Sequence, residues 1–307
     1  MDASASHNCP RDTPLFSVMS RKVSVTAFDG SFAPLGRPTE RSPLPWYSNR
    51  QYFLASWLDV SIWKAAILEL VGTTCQVFIS GQFAATIIGY GTPQIGGYIG
   101  IFNIFLVSTF IYATAAGSGG HLNQAITLSA ILSGICPLAR GTLYMVAQTI
   151  GSGIAGGLLR GVWGYERSVK NFGGGCFLDP AHVTYGQAFL NEFFSSFVLL
   201  FLAYGVGLDP RQAALFGPRL GPLLVGVSLG IVTFATSGMA PGYAGAQINP
   251  ARCLAYGIAR GDLSDQWVWW FGPAAAAVLI AILYNLIPPH HADSQENTKT
   301  VPAPLPK

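Results

Sequence analysis

The residues in this sequence best suited to chemistry are two asparagines, each at a position where a short helix could begin. Asn249 lies in the stretch GAQINPARC, residues 245–253, and Asn123 lies in the stretch GHLNQAIT, residues 120–127. Asparagine is a favoured helix N-cap, and Pro250 suits the first helical position because proline has no N–H to leave unpaired there. Both stretches are therefore predicted to be loops that lead into short helices.

Such helix ends favour contact with neutral hydrogen-bonding molecules. A helix N-terminus carries about half a positive charge and unpaired N–H donors, so two that face each other at membrane depth would repel cations and protons. The amides of Asn123 and Asn249 could also donate to a passing water and interrupt a proton wire. Arg252 would cost about 2.5–3.5 kcal/mol to bury in a membrane, so it is predicted to face a cavity near the outer mouth. The alternative is that Arg252 snorkels to the interface.

The composition indicates a membrane protein with several spans. Only 10% of the 307 residues are charged, half are hydrophobic, and 36 are glycine, whereas a soluble domain has about 25% charged residues. The net charge of +3 is small, so no nucleic-acid partner is expected. The partners expected from composition are a lipid bilayer and whatever passes through it.

Six segments are long enough to span a bilayer, which takes about 20 apolar residues. They cover about 63–90, 95–116, 138–163, 185–207, 221–240 and 267–287. The two segments after the asparagines, 123–135 and 249–260, are too short to cross and are predicted to be re-entrant half-helices. Loops are predicted at 164–184 and 209–219. Residues 1–61 are predicted to be a disordered cytoplasmic tail and residues 290–307 a second cytoplasmic tail.

The spans form an internal repeat, residues 62–163 and 185–289. Glu69 and Glu192 lie in the first span of each half, 54 residues before Asn123 and 57 before Asn249. Three spans per half force the halves to insert with opposite topology, so the half-helices would meet near the midplane. Of the 17 lysines and arginines, 12 fall on the side of the termini, which predicts that both termini are cytoplasmic.

The remaining polar residues in the spans are interpreted as structural. Glu69 and Glu192 could relay protons, but they are favoured as acceptors for loop N–H groups that hold the half-helices, and Gln148 is read in the same way. No nucleophile elbow or His-Glu-x-x-His motif is present in the sequence, so an enzyme is not expected. No cofactor is expected either.

The cysteines and the outer-loop histidine indicate neither a disulfide framework nor a metal site. The five cysteines are odd in number and scattered, so no disulfide is predicted. Cys176 and His182 in the third loop are too few ligands for a metal. Cys253, directly after Arg252, is the best candidate for block by thiol reagents at the pore.

These features together resemble the major intrinsic proteins, the aquaporins and aquaglyceroporins, over about residues 62–289. The resemblance depends on the six spans, the embedded glutamates and two motifs, Asn123-Gln124-Ala125 and Asn249-Pro250-Ala251. It implies an all-α membrane protein: an aquaporin-like right-handed bundle of six transmembrane helices plus two re-entrant half-helices, assembled as a homotetramer and expected in the plasma membrane. The string NPARC, the altered first motif and the long polar N-terminus most resemble the X-intrinsic subfamily of plants and fungi.

Two positions depart from the family pattern. Gln124 replaces the usual proline, and because glutamine is an acceptable helix residue the fold and solute selectivity are expected to persist. The family's selectivity filter has four positions, which spacing from the asparagines assigns to Asn103, Ser237, Ala246 and Arg252. The Ser237 assignment depends on the length of the loop that follows it. Strict water pores have a bulky aromatic residue and a histidine at this filter, so the constriction here is predicted to be wider and polar.

A wide polar filter favours a passive channel for small neutral solutes: glycerol, urea, hydrogen peroxide, boric acid and also water. Two features oppose a glycerol specialist, since Cys253 stands where glycerol facilitators carry aspartate and Trp269-Trp270 resembles the aromatic pair of water channels. The alternatives are a water-selective aquaporin, a secondary transporter built on the same kind of inverted repeat, and a member of the fold that does not conduct.

Overall fold

The structure, a computed structural model, describes residues 57–287, without the side chains of residues 210–215, 217 and 218. Nearly all of the predicted N-terminal tail and the whole predicted C-terminal tail lie outside the described residues. The helices are α1 (Val60–Tyr90), α2 (Ile95–Ser118), α3 (Gln124–Leu132), α4 (Leu138–Lys170), α5 (Tyr185–Ala203), α6 (Pro210–Thr236), α7 (Pro250–Arg260) and α8 (Gln266–Leu286).

Six of these helices are long, and α3 and α7 are the two predicted half-helices. Five helices of the described chain are long and apolar enough to cross a membrane: α1, α2, α5 with its following turn, α6 and α8. Helix α4 is long enough, with 33 residues, but it is the least apolar of the six long helices. Large apolar side chains are exposed on the outside of the bundle, as a lipid-facing surface requires; Trp63, Phe105, Phe194 and Phe271 are examples.

Two boundaries differ from the sequence prediction. Helix α4 does not end near residue 163 but continues to Lys170 through a break at Gly164, whose φ of 73° is non-helical. The predicted loop at 209–219 is wrong, because α6 begins at Pro210, one residue after a π-helical turn over Tyr204–Leu208. Proline favours the first position of a helix, which the apolar residues after it can then continue.

The packing of the helices follows the inverted repeat. Helix α1 packs along α4 in the first half, and α5 packs along α8 in the second. Helices α2 and α6 form the most extensive contact between the halves. Each half-helix also crosses over: α7 packs mainly on α4, and α3 packs mainly on α8. The two half-helices therefore each lie against a long helix of the opposite repeat.

Glycines allow α2 and α6 to approach closely. A Cβ atom on Gly230 would lie 2.8 Å from the carbonyl oxygen of Gly100, and one on Gly226 would collide with Ser108 and with the carbonyl of Ile104. Close backbone approach at small residues is the usual basis of helix association in lipid, where burial of apolar surface provides little drive. This contact fixes which residues of α2 and α6 face each other.

Candidate functional site

The two asparagines cap the half-helices, as the sequence predicts. The Oδ1 atom of Asn123 accepts a hydrogen bond from the N–H of Ala125 at 2.8 Å, and that of Asn249 accepts from the N–H of Ala251 at 3.0 Å. Pro250 occupies the first position of α7. Ala125 and Ala251 are buried inside the bundle, so in each motif the asparagine carries the polar chemistry.

The two asparagines also join the repeats to each other. The Nδ2 atom of Asn123 donates to the carbonyl of Ile248 at 3.2 Å, and the Nδ2 atom of Asn249 donates to the carbonyl of Leu122 at 3.0 Å. The predicted meeting of the two half-helix N-termini is thereby confirmed. Each primary amide has two N–H groups, so one of them on each asparagine is not used by this exchange.

The residues before the asparagines adopt a left-handed backbone. Leu122 has a φ of 50° and Ile248 a φ of 64°. This conformation is unfavourable for L-residues, most of all for a β-branched one such as isoleucine, and persists only where surrounding contacts require it. In this conformation the N–H of each residue points to a buried glutamate, and its carbonyl points to the asparagine of the other repeat.

Glu69 holds the first of these turns with four hydrogen bonds. One carboxylate oxygen accepts from the hydroxyl of Ser118 at 2.5 Å and from the N–H of His121 at 3.0 Å. The other accepts from the N–H of Leu122 at 2.7 Å and from Nε2 of Gln148 at 2.9 Å. Glu69 and Gln148 are both fully buried. These contacts support the structural interpretation of both residues over the proton relay.

Glu192 repeats this arrangement in the second half. Its carboxylate oxygens accept from the N–H of Gln247 at 2.6 Å and from the N–H of Ile248 at 2.9 Å. Glu192 is also fully buried, on the side of α5 where Gly272 of α8 approaches: a Cβ atom on Gly272 would lie 2.7 Å from the Cβ of Glu192. The glutamate–loop–asparagine unit is thus present in both repeats.

A cavity inside the bundle extends past both asparagines and reaches Arg252. Its wall is polar on the side of α1 and the two loops and apolar on the side of α2, α5 and α6, except for Asn103. The lining residues include Gln76, Ser80, His121, Asn123, Gln247, Asn249 and Arg252 on the polar side, and Asn103, Leu106, Val107, Ile111, Leu199, Val225 and Leu229 on the other side. Of the predicted site residues, Asn103, Asn123, Asn249 and Arg252 reach this cavity.

Arg252 lies at the cavity one turn into α7. Its guanidinium carbon is 5.7 Å from the centre of the Tyr256 ring, and its Nε donates a long hydrogen bond of 3.5 Å to the Tyr256 hydroxyl. Tyr256 is fully buried, so Arg252 packs against the protein interior on the side away from the cavity. The charge therefore faces the cavity, as predicted, instead of snorkelling to the lipid interface.

The filter assignment to Ser237 is wrong, because the structure brings Thr233 to Asn103 instead. Nδ2 of Asn103 donates to the hydroxyl of Thr233 at 3.3 Å. The Cβ of Ser237 lies 2.5 Å from the position that a Cβ on Gly96 would take, and Gly96 is two helical turns, roughly 10 Å, from Asn103 along α2. Counting back from Asn249 reaches Ser237 because it assumes a loop after α6 that is one helical turn too short. One turn before Ser237, the sequence has another hydroxyl residue, Thr233.

Ala246 is buried beside the same constriction. Its side chain belongs to an apolar cluster with Leu199, Val232 and Ile248, and its N–H donates to the hydroxyl of Thr236 at 3.3 Å. The backbone of the second loop is thereby attached to the end of α6, next to the turn that carries Thr233.

Comparison with known proteins agrees with this geometry. Residues 56–284 match the sequence model of the family described as "Major intrinsic protein". The chain is 30% identical to aquaporin PIP2-7 of Musa acuminata over 88% of its own length and 94% of the relative's. It is 32% identical to aquaporin PIP2-4 of Oryza sativa subsp. japonica over 76% of its length and 84% of the relative's.

The chain belongs to the major intrinsic protein family. This is a family of multi-pass membrane channels for water and small solutes, not of enzymes. The fold is also that of the X-ray structure of the aquaglyceroporin from Plasmodium falciparum, with a TM-score of 0.61 over 74% of this chain and 96% of that one, at 21% identity.

In this major intrinsic protein, Gln124 does not face the cavity. Its Nε2 donates to the hydroxyl of Thr149 on α4 at 3.0 Å, and the residue is 2% exposed. The half-helix therefore begins with glutamine without a change in the polar groups that reach a solute. This placement agrees with the expectation that Gln124→Pro leaves selectivity unchanged.

The prediction that Cys253 carries a reactive thiol is wrong. Cys253 forms a disulfide with Cys176, 77 residues away in the loop between α4 and α5, and both are buried. The spacing of the cysteines along the chain does not indicate this pair, because Cys176 comes close to Cys253 only when the loop between α4 and α5 folds over α7. Arg260 fixes the same loop by donating to the carbonyl of Cys176 at 2.9 Å.

Glu69→Gln and Glu192→Gln are expected to destabilise the protein. An amide nitrogen would face N–H donors, and each buried donor left unpaired costs about 1–3 kcal/mol. Glu69→Gln should cost more, because Glu69 accepts four hydrogen bonds and Glu192 two. Thermal unfolding in detergent, followed by size-exclusion chromatography, measures the difference. Glu166→Gln, at an exposed glutamate, is the matched control; if all three variants unfold alike, the glutamates do not hold the loops.

Cys176→Ser and Cys253→Ser are each expected to lower the unfolding midpoint by about 5–10 °C, since a disulfide contributes about 2–4 kcal/mol. The double variant should lower it no further, because either change removes the same bond. Cys75→Ser, at an exposed cysteine outside the disulfide, is the control and should leave the midpoint unchanged. Additive losses in the double variant would contradict the pairing. The same thermal scan in reducing buffer provides an independent reading.

Proposed function

We propose that this chain forms a passive channel for glycerol, urea, hydrogen peroxide and boric acid, that it also conducts water, and that it excludes protons and ions. The observation that carries the proposal is the cavity past Arg252 and both asparagines. No phenylalanine, tyrosine or tryptophan is among its lining residues in the described part of the chain. A pore without aromatic side chains leaves room for solutes larger than water.

The two faces of the cavity suit small polyols and amides. Arg252 and the loops offer hydrogen bonds on one side, and Leu106, Leu199 and Leu229 offer apolar contact on the other, where Asn103 adds one polar group. A glycerol molecule has the same division between hydroxyls and carbon chain. Trp269 does not line the cavity; it is buried and stacks on Tyr243 with ring centres 6.2 Å apart. The resemblance of Trp269-Trp270 to water channels therefore has no consequence for pore width.

Exclusion of ions is proposed from the charges along the same route. Arg252 repels cations at the constriction, and the N-termini of α3 and α7 add partial positive charge at the asparagines. The unused amide N–H groups of Asn123 and Asn249 would donate to a water between them. A water that accepts both hydrogen bonds cannot accept a proton from a neighbouring water, which interrupts proton transfer along the file.

Fixed contacts support a channel over a secondary transporter. Each half-helix is fixed by a buried glutamate and by the asparagine of the other repeat. These contacts favour a permanently formed pore over the alternating access that a transporter needs. We also propose that both termini are cytoplasmic, because lysines and arginines are concentrated on their side. The NPARC string and Gln124 support the X-intrinsic subfamily. Membership of the family supports a homotetramer in the plasma membrane.

The proposed function is tested by stopped-flow light scattering on liposomes that contain the purified protein. Glycerol, urea and boric acid fluxes are measured by shrinkage and reswelling, peroxide by an enclosed fluorescent reporter, and protons by a pH-sensitive dye. Each neutral solute is expected to cross faster than in empty vesicles without saturation at low concentration. Water flux alone would instead indicate a water-selective pore, and flux coupled to an ion gradient would indicate a transporter.

Arg252→Val is expected to raise proton and cation leak by about tenfold while neutral flux persists, since about 1.4 kcal/mol of barrier corresponds to a tenfold rate. Arg252→Lys is the matched control, because it keeps the charge. Its leak should stay near the wild-type value. Equal leak in both variants would mean that the charge of Arg252 is not the barrier.

A further inference from the structure

Helix α1 presents a buried amide to the cavity that the family motifs do not include. Gln76 is seven residues after Glu69 and therefore lies on the same face of α1, two turns further along. Its side chain lines the cavity although the residue is only 8% exposed. Its amide oxygen is buried and has no hydrogen-bond partner among the described residues.

Neighbouring contacts give the depth of Gln76 in the pore. Phe83 of α1 stacks on Phe102 of α2 with ring centres 3.7 Å apart, so the constriction at Asn103 is level with the outer part of α1. A Cβ on Gly72 would lie 2.7 Å from Leu122, so the asparagine loops are level with residues near Gly72. Gln76 lies between these levels, roughly 10 Å inward of the constriction.

Among the described residues, the walls opposite Gln76 offer no hydrogen bonds from side chains. Inward of Asn103, the side chains that α2, α5 and α6 contribute to the cavity are apolar, as at Leu106, Leu199 and Leu229. Ser80, one turn from Gln76 on α1, lines the same cavity. A solute that has left Arg252 therefore meets these two side chains before it reaches the asparagines.

Three other glutamines inside the described bundle have hydrogen-bond partners in the protein. Gln148 bonds to Glu69 at 2.9 Å, Gln124 bonds to Thr149 at 3.0 Å, and Gln82 on α1 itself accepts from the indole N–H of Trp163 at 2.7 Å. The amide oxygen of Gln124, like that of Gln76, accepts no hydrogen bond from the described residues, but Gln124 does not line the cavity and Gln76 does. A buried polar group without a protein partner is unfavourable unless something in the cavity satisfies it.

We propose that Gln76, together with Ser80, forms a hydrogen-bonding subsite for polyols and ureas, and that Gln76 is a specificity-determining residue of the pore. The inference rests on the proposed function. A primary amide both donates and accepts, so it can exchange two hydrogen bonds with a hydroxyl or amide solute in a stretch where the facing wall offers none. Water in single file keeps bonds to the waters on either side and depends on Gln76 less. The ratio of polyol to water flux is therefore set in part by Gln76.

The experiment compares Gln76→Leu with Thr73→Val in the liposome assay. Leucine removes the amide at similar volume. Thr73 is on the same helix, and its buried hydroxyl also has no partner among the described residues, but it does not line the cavity; its Cβ lies 3.4 Å from where a Cβ on Gly151 of α4 would be. Gln76→Leu is expected to lower glycerol and urea permeability by about fivefold to tenfold, the effect of one lost hydrogen bond, with water permeability within about twofold. Thr73→Val should change none of the three.

Water permeability in the same vesicles reports whether the pore is assembled. A glycerol-to-water ratio in Gln76→Leu equal to that of wild type overturns the subsite. Equal loss of water and glycerol, seen also in the flexible variant Gln76→Met, would assign Gln76 a structural role and overturns it too. A wild-type protein without polyol or urea flux would refute the proposed function as well, whereas wild-type flux that Gln76→Leu does not alter refutes the subsite alone.

Discussion

The rest of the structure depends on the hold of a buried glutamate on the loop before each asparagine. Glu69 and Glu192 accept the N–H groups of Leu122 and Ile248, which keeps both residues in a left-handed backbone that they would otherwise avoid. That backbone directs each carbonyl toward the asparagine of the other repeat. A desolvated carboxylate is tolerable here because two or more N–H donors satisfy it. The loops, the half-helix caps and the joint between the repeats are therefore one hydrogen-bonded unit.

The walls of the pore are simpler than this central unit. Apolar residues on α2, α5 and α6 form one side, and polar groups from α1 and the loops form the other. Because the helix backbone is satisfied internally, exposed carbonyls and N–H groups can occur at membrane depth only in the loops, where they line the cavity. The division between an apolar and a polar side thus follows from the re-entrant architecture. Asn103, which donates to the hydroxyl of Thr233, is the polar exception among the described residues of the apolar side.

Much of the fold and part of the site were predictable from local pattern. Long apolar segments, the asparagine caps and Glu69 and Glu192 are all identifiable without coordinates, since capping and membrane insertion depend on neighbouring residues. The two errors at the site share one cause. Thr233 instead of Ser237 at the constriction, and the bond between Cys176 and Cys253, depend on how far a loop reaches across the bundle. Spacing along the chain does not measure that distance.

The sequence by itself determined that this chain inserts as two inverted halves, each with an asparagine-led half-helix and a buried carboxylate. Those features follow from hydrophobic length, from helix-capping chemistry and from the odd number of spans in each half. Only the tertiary structure decided which side chains reach the cavity. It turned Gln124 toward α4, placed Gln76 at the cavity with an amide oxygen that has no partner among the described residues, and paired Asn103 with Thr233 through the close crossing of α2 and α6. These are consequences of packing between residues distant in the chain.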